Sequence, residues 1–453
     1  MIEIEWITII DFLLTPFIAG FLYLIAKRFR DKYYPENHPY RKFFLPALSF
    51  KIVGAIVICI IYAYYYRGGD TLNYFYHARL INSALSDSPS KWFNLLFAIP
   101  NKLDPNYYEI IKLMRWYGSS SSYAVPQFAA ILGNFTLNTF VPTSMLFAAV
   151  SFTGFWALFV TFAKLYPNLL RPIATCILFI PSVALWGSGI FKDTLCMLAL
   201  GWLCFSTFQF FIYRNRSLLN LTIFLGSFWL ILVIKVYIII SFLPALIGWI
   251  LFDRTSRIRN RQLAFIVNVF FLIGSGLVLY ALLNQNTSLL GEFSFDNIVK
   301  TSEKTRNYIS YVSNLENGSG YDLGEFSPGF SGFILKFPQA VNVTLFRPYL
   351  WETKKLIAFL NGVESLLLLF ITLKIFFSFR IKNIIQSISS DYNIQFTLIF
   401  SIVFAFFVGV STYNFGTLSR YKIPCVPFYL LTLVLIYYRN AKPGKRLLRF
   451  IFL

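Results

Sequence analysis

Apolar runs of about 20 residues, the length a helix needs to cross roughly 30 Å of hydrocarbon, recur along almost the whole chain. Polar residues gather between the runs instead of alternating within them, so the segments do not read as half-buried strands. Since lipid leaves no unpaired backbone group tolerated, continuous apolar runs read as helices and not as the strands of a barrel. They predict eleven spans, at 6–26, 43–65, 141–163, 172–187, 192–212, 217–234, 236–252, 263–283, 356–379, 394–412 and 423–438. The stretch 217–252 is divided in two because its 36 residues would rise about 54 Å as one helix, too far for one crossing. Both of its flanks are also basic, with Arg214 and Arg216 before it and Arg254, Arg257, Arg259 and Arg261 after it. Lys235 then sits at the turn between two crossings. The expected fold class is all-α: one polytopic transmembrane domain over residues 1–453.

Two polar segments are too long to be simple connectors, 66–140 and 284–355. The first is also too aromatic to read as a disordered linker. It opens Arg67-Gly68-Gly69-Asp70 directly after a span and continues through Tyr74 and His77 in helix-like order. Asp70, Tyr74 and His77 stand at steps of four and three, which puts them on one helical face. Amphipathic stretches near 90–99 and 106–116 mix Trp, Leu, Lys and Arg, as helices lying in a membrane interface do.

Charge orients this map. One set of connections carries 22 Lys and Arg against four acids, Asp31, Glu36, Asp253 and Asp391. Lys and Arg collect on the cytoplasmic side of short loops, so the amino terminus is expected outside, the carboxyl terminus inside, and both long segments outside. The composition agrees: 57% of the 453 residues are hydrophobic, 13% are charged, and mean hydropathy is +0.62. A net charge of +20 would invite nucleic acid in a soluble chain. Here the topology bias and contact with anionic lipid headgroups account for it, and a nucleic-acid partner is not expected. Residues 1–26 do not read as a cleavable signal, because Glu3 and Glu5 stand where basic residues would be. All five cysteines fall in or at the end of predicted spans and read as packing residues, and two histidines cannot make a His-rich metal site.

The candidate chemistry lies on the outer side. Asp70 has two readings: a helix cap whose carboxylate accepts amide bonds, or a base at the membrane surface beside glycines that let a ligand approach. His77 reads more readily as a packing residue than as a catalyst. Trp186-Gly187-Ser188-Gly189-Ile190-Phe191-Lys192-Asp193 joins two spans, Arg347-Pro348-Tyr349-Leu350-Trp351-Glu352 precedes the ninth, and Arg420-Tyr421-Lys422 precedes the last. Lys192, Lys235, Arg347, Arg420 and Lys422 thereby share the depth of the outer headgroups. Each alone could be a snorkelling anchor. Converging, they would clamp the phosphate of a lipid carrier through charge-assisted bonds. Asp11 and Glu364 lie inside spans, where a carboxylate is costly and faces the bundle or is protonated.

These features resemble the GT-C class of membrane glycosyltransferases. The resemblance rests on the long first outer segment opening Gly68-Gly69-Asp70 and on Arg420-Tyr421-Lys422-Ile423-Pro424-Cys425-Val426-Pro427, similar to an Arg-Tyr-x-x-Pro-x-x-Pro element of such enzymes. Gly69-Asp70-Thr71-Leu72-Asn73-Tyr74 and the Trp186–Asp193 turn are similar to Wzy-type polysaccharide polymerases of the bacterial envelope. The likeness implies sugar transfer from a polyprenyl-phosphate-linked donor to a periplasmic glycan or protein acceptor, in a bacterial inner membrane. Asp70 would be the base, and Tyr74, His77, Lys192, Asp193, Lys235, Arg347, Glu352, Arg420 and Lys422 would line the substrate site. The family usually shows paired acids, whereas Asp70 is followed next by Asp87, so a divalent metal would need an oxygen ligand from elsewhere. Two other readings stay open: a non-catalytic membrane subunit of an export or envelope complex with partner proteins, and a transporter of lipid-linked glycans.

Overall fold

The computed structural model describes residues 5–98, 105–255, 319–324, 332 and 334–442. Among them the chain is helical with no β-strand, and it forms two compact units, Met1–Lys235 and Val236–Leu453.

In the first unit α1 (Ile9–Tyr33) and α2 (Arg41–Ile60, extended by a π-helical turn to Tyr66) are followed by α3 (Asp70–Asp87), α4 (Pro89–Leu96), the single turn α5 (Tyr108–Ile111) and α6 (Ser120–Gly133). Then come α7 (Phe140–Leu165), α8 (Leu170–Leu178), α9 (Pro181–Trp186), α10 (Lys192–Phe211) and α11 (Leu218–Ile234). The second unit holds α12 (Val236–Thr255), α13 (Phe337–Phe346), α14 (Leu356–Ser378), α15 (Ile381–Ser389), α16 (Tyr392–Thr412), α17 (Phe415–Tyr421) and α18 (Cys425–Asn440).

Six helices among the described residues are long and apolar enough to cross a membrane: Ile9–Tyr33, Arg41–Tyr66, Phe140–Leu165, Lys192–Phe211, Leu356–Ser378 and Tyr392–Thr412. A seventh crossing is available where Phe415–Tyr421 meets Val426–Asn440 at a 65° bend. This is the architecture of a polytopic membrane protein, with fewer full-length spans than the eleven expected. The expected span 172–187 is α8 and α9, of nine and six residues, or roughly 14 and 9 Å of rise. Pro181 opens the second, and its missing N–H ends the first hydrogen-bond ladder. Leu218–Ile234 and Val236–Phe252 are apolar but short, and the expected span 263–283 lies outside the described residues. Of the two expected interfacial helices, 90–99 is α4, with Phe93 and Phe97 exposed. The other, 106–116, is α-helical for one turn only, Tyr108–Ile111, and Met114 and Tyr117 beyond it are buried.

Without a hydrophobic drive between helices in lipid, association relies on close backbone approach and polar cross-links. The closest approach is α7 on α10: a Cβ at Gly201 would fall inside the backbone of Gly154, and one at Gly154 inside that of Leu198. Polar side chains pin α1 to α7. Asp11, buried in α1, accepts from Thr8 N and Oγ1 at 3.0 and 2.9 Å and from Val141 N at 2.8 Å, so it serves the starts of both α1 and α7. At the other end Trp156 Nε1 donates to Tyr34 Oη at 2.7 Å.

Candidate functional site

The turn into α3 depends on Gly69. Its φ of +117° is a conformation that side-chain-bearing residues rarely adopt, and a Cβ there would stand 2.7 Å from the Tyr62 ring. Gly69 is the N-cap and Asp70 the first helical residue, so the carboxylate of Asp70 meets the positive end of the helix dipole without being the cap itself. One helix face carries Tyr74 and His77, as the spacing predicts, and both rings meet Trp116, at 4.9 and 5.8 Å. His77 is 2% exposed, and its Nδ1 has no hydrogen-bond partner among the described residues.

The second component is the connection from α9 to α10. Gly187 ends α9, and its carbonyl accepts from Ser151 Oγ at 3.0 Å and from the ammonium of Lys51. Lys51 comes from the middle of α2, is 2% exposed, and lies 4.0 Å from the centroid of Phe155. A cation at the carbonyl end of a helix is favoured by the dipole, and here it holds the connection in place. Thr194 Oγ1 then donates to Gly189 O at 2.7 Å as α10 begins.

Lys192 and Asp193 open α10 and part company there. Lys192, half-buried, donates to Ser121 Oγ of α6 at 3.0 Å. Asp193 points inward and forms an ion pair with Lys235, the two side chains being 1% and 6% exposed. Lys235 is the C-cap of α11, its backbone leaving the helix at φ −149°, ψ 85°. It is thus a buried partner of Asp193 and not an anchor in the headgroups. The charge of Lys192 is within electrostatic reach of Lys235, Asp193 and Asp70. The first unit therefore gathers Asp70, Lys192, Asp193 and Lys235.

The second unit forms its own cluster. Arg347 pairs with Glu352, Nε to Oε2 at 3.0 Å with a second bond from its terminal nitrogen, and Glu352 also accepts from Tyr349 N at 2.8 Å. The guanidinium lies 5.3 Å from the ring of Phe415 and 5.7 Å from that of Tyr349. Lys422, fully buried, donates to Ser365 Oγ at 2.7 Å and to the carbonyl of Arg347 at 3.5 Å, within electrostatic reach of Glu364. Arg420 lies in the last turn of α17, 5.3 Å from the Tyr421 ring. Glu364 thus lies within electrostatic reach of a lysine of its own unit, a setting that favours a carboxylate inside a span.

Sequence reasoning missed Lys51 and Ser121. The signal for Lys51 was a lone lysine within the run 43–65. Ser121 belongs to α6, whose Pro126 hides the helix from pattern reading. Among the described residues no group of three or more His, Cys, Asp or Glu is placed to hold a metal. No family model, curated protein or solved structure matches the chain.

Burial alone pushes the His77 pKa down to about 4, so the ring is neutral at pH 7. The unfolded chain titrates near 6.5, and takes up a proton between pH 6.5 and 4 that the folded chain refuses. The stability from this site is whole above pH 6.5 and declines as pH falls toward 4, by about 3 kcal/mol at most. Thermal unfolding in detergent should therefore fall more steeply between pH 7 and 4.5 for wild type than for His77→Phe. Parallel pH profiles would show that His77 is not shielded from solvent.

Proposed function

We propose that the chain is a membrane glycosyltransferase that moves a sugar or glycan from a polyprenyl-phosphate donor to an acceptor hydroxyl on the periplasmic face of a bacterial inner membrane. The observation that carries this reading is the gathering of Asp70, Lys192, Asp193 and Lys235 where α3 and α10 begin. It combines a carboxylate on a helix N-terminus with a half-buried lysine that donates to the Ser121 hydroxyl. Asp70 takes the acceptor's proton while the acceptor oxygen attacks the anomeric carbon. The bond from that carbon to the carrier phosphate breaks, and the phosphate leaves with the electron pair. Lys192 neutralises the charge that develops on it, which is worth most where water is scarce. Asp193 and Lys235, being paired, hold the start of α10 and stay out of the chemistry. Glu352 does the same for Arg347 in the second unit.

In this reading the amino terminus is outside and the carboxyl terminus cytoplasmic. A cysteine in place of the exposed Asp322 should label with a membrane-impermeant maleimide from outside. Labelling only after permeabilisation would reverse the map. For the activity, cells lacking the chain should lose a surface glycan or glycoprotein band, and purified chain in liposomes should release polyprenyl phosphate from a lipid-linked sugar. An unchanged glycan profile with no release from any donor would overturn the reading. Glycan loss with no release from the purified chain would favour a non-catalytic subunit or a transporter.

A further inference from the structure

The helix α1 is held to the first unit by polar pins at its two ends, Asp11 to Val141 N and Tyr34 to Trp156. Between them it is loosely packed: about a tenth of its apolar stretch is buried, whereas most of that of α7 is. The gap is a groove of about 490 Å³, open on one side, walled by Ile25 and Phe29 of α1, Phe44 of α2, Phe152 and Trp156 of α7 and Trp202 of α10. Lys164 stands at its end, with its ammonium 5.6 Å from the Tyr213 ring. A groove with apolar walls on both sides forfeits dispersion contacts unless hydrocarbon fills it.

Three observations say which hydrocarbon. A groove of about 490 Å³ with apolar walls is of the size that a lipid hydrocarbon chain fills. Along α10 the wall residues Trp202 and Phe205 lie ten and thirteen positions beyond Lys192, or roughly 15 to 20 Å, so the groove is separate from the cluster around Asp70. Its lysine end is basic. Arg41 and Lys42 begin α2 there, beside α7, with Tyr40 and Phe43 each packed on Phe159 at 5.4 and 5.7 Å. The acids on the same connection are Asp31 and Glu36. Arg30 and Arg41 both bond Asp31, at 2.7 and 2.8 Å, which leaves Lys42 and Lys164 opposed by Glu36 alone within this set.

We propose that this groove binds one acyl chain of an anionic glycerophospholipid, with the lipid phosphate met by Lys164. The site joins α1, α2, α7 and α10 at the end opposite Asp70. It does not depend on the glycosyltransferase reading.

Trp156 and Trp202 report on it directly. Full-length chain in detergent, titrated with phosphatidylglycerol brominated on its acyl chains, should show saturable quenching of tryptophan fluorescence. Most of that component should vanish in Trp156→Phe/Trp202→Phe. Thr153 is exposed and lines the groove, so Thr153→Phe fills the space from its open side and should abolish the saturable component while the chain still elutes as folded protein. Lys164→Gln should raise the half-saturating concentration of brominated phosphatidylglycerol about fivefold, as expected for one cation at an anionic headgroup. Brominated phosphatidylcholine should bind at the weaker level in both proteins. Equal quenching by the two lipids in wild type would overturn the proposal, leaving a groove that any hydrocarbon fills. So would saturable quenching that survives both Thr153→Phe and the double tryptophan replacement.

Discussion

Asp70→Asn should abolish most transfer, by about 10² to 10⁴ in rate, the usual loss when a general base is removed, while the protein accumulates as wild type does. Gly69 and not Asp70 caps α3, so no cap is removed. What goes is a favourable charge in the first helical turn, about 0.3 to 1 kcal/mol at a partly exposed site. Asn keeps the size of the side chain but cannot take a proton at neutral pH. The measurement is release of polyprenyl phosphate from a lipid-linked sugar, with chain level checked by immunoblot. Wild-type turnover by Asp70→Asn would remove Asp70 from the chemistry. Asp70→Glu, which keeps the carboxylate on a longer stem, should retain part of the activity, and a merely structural role predicts no such rescue.

Asp193→Leu should cost about 3 to 5 kcal/mol of stability, because it leaves the buried ammonium of Lys235 without its carboxylate. The loss should be aggravated by Lys192, a like charge within electrostatic reach of Lys235. Asp193→Leu/Lys235→Met removes both charges, and buried pairs replaced by apolar side chains of similar volume are often neutral. The double variant should therefore return to within about 1 kcal/mol of wild type. Unfolding in mixed micelles measures all three proteins. A single variant as stable as wild type would mean that water reaches Lys235. The double variant also separates structure from chemistry: stable protein with normal transfer confirms a holding role, and stable protein without transfer makes Asp193 or Lys235 part of the reaction.

The sequence by itself determined the helical class, most membrane-length segments and the start of α3, because each is a property of one continuous stretch. An apolar run long enough to cross lipid is apolar whatever its neighbours do, and Gly68-Gly69-Asp70 marks a turn into a helix in any context. The face shared by Tyr74 and His77 was legible for the same reason, since helical spacing is local. Tertiary structure decided what the charges do. Lys235 read as an exposed cation at a turn, yet Asp193, 42 positions earlier, takes it into the interior. Lys51 vanished into an apolar run because its partner, the carbonyl of Gly187, lies 136 positions away. Asp11 looked like a costly intramembrane acid until Val141, 130 positions on, brought it an amide. Helix 172–187 broke at Pro181, and α6 formed through Pro126, because the packing around each proline decides whether the lost hydrogen bond matters. Hydropathy adds up along a segment and can be read there. A buried charge is settled by whichever group the fold brings within about 3 Å of it, and that is a pairwise property of distant positions.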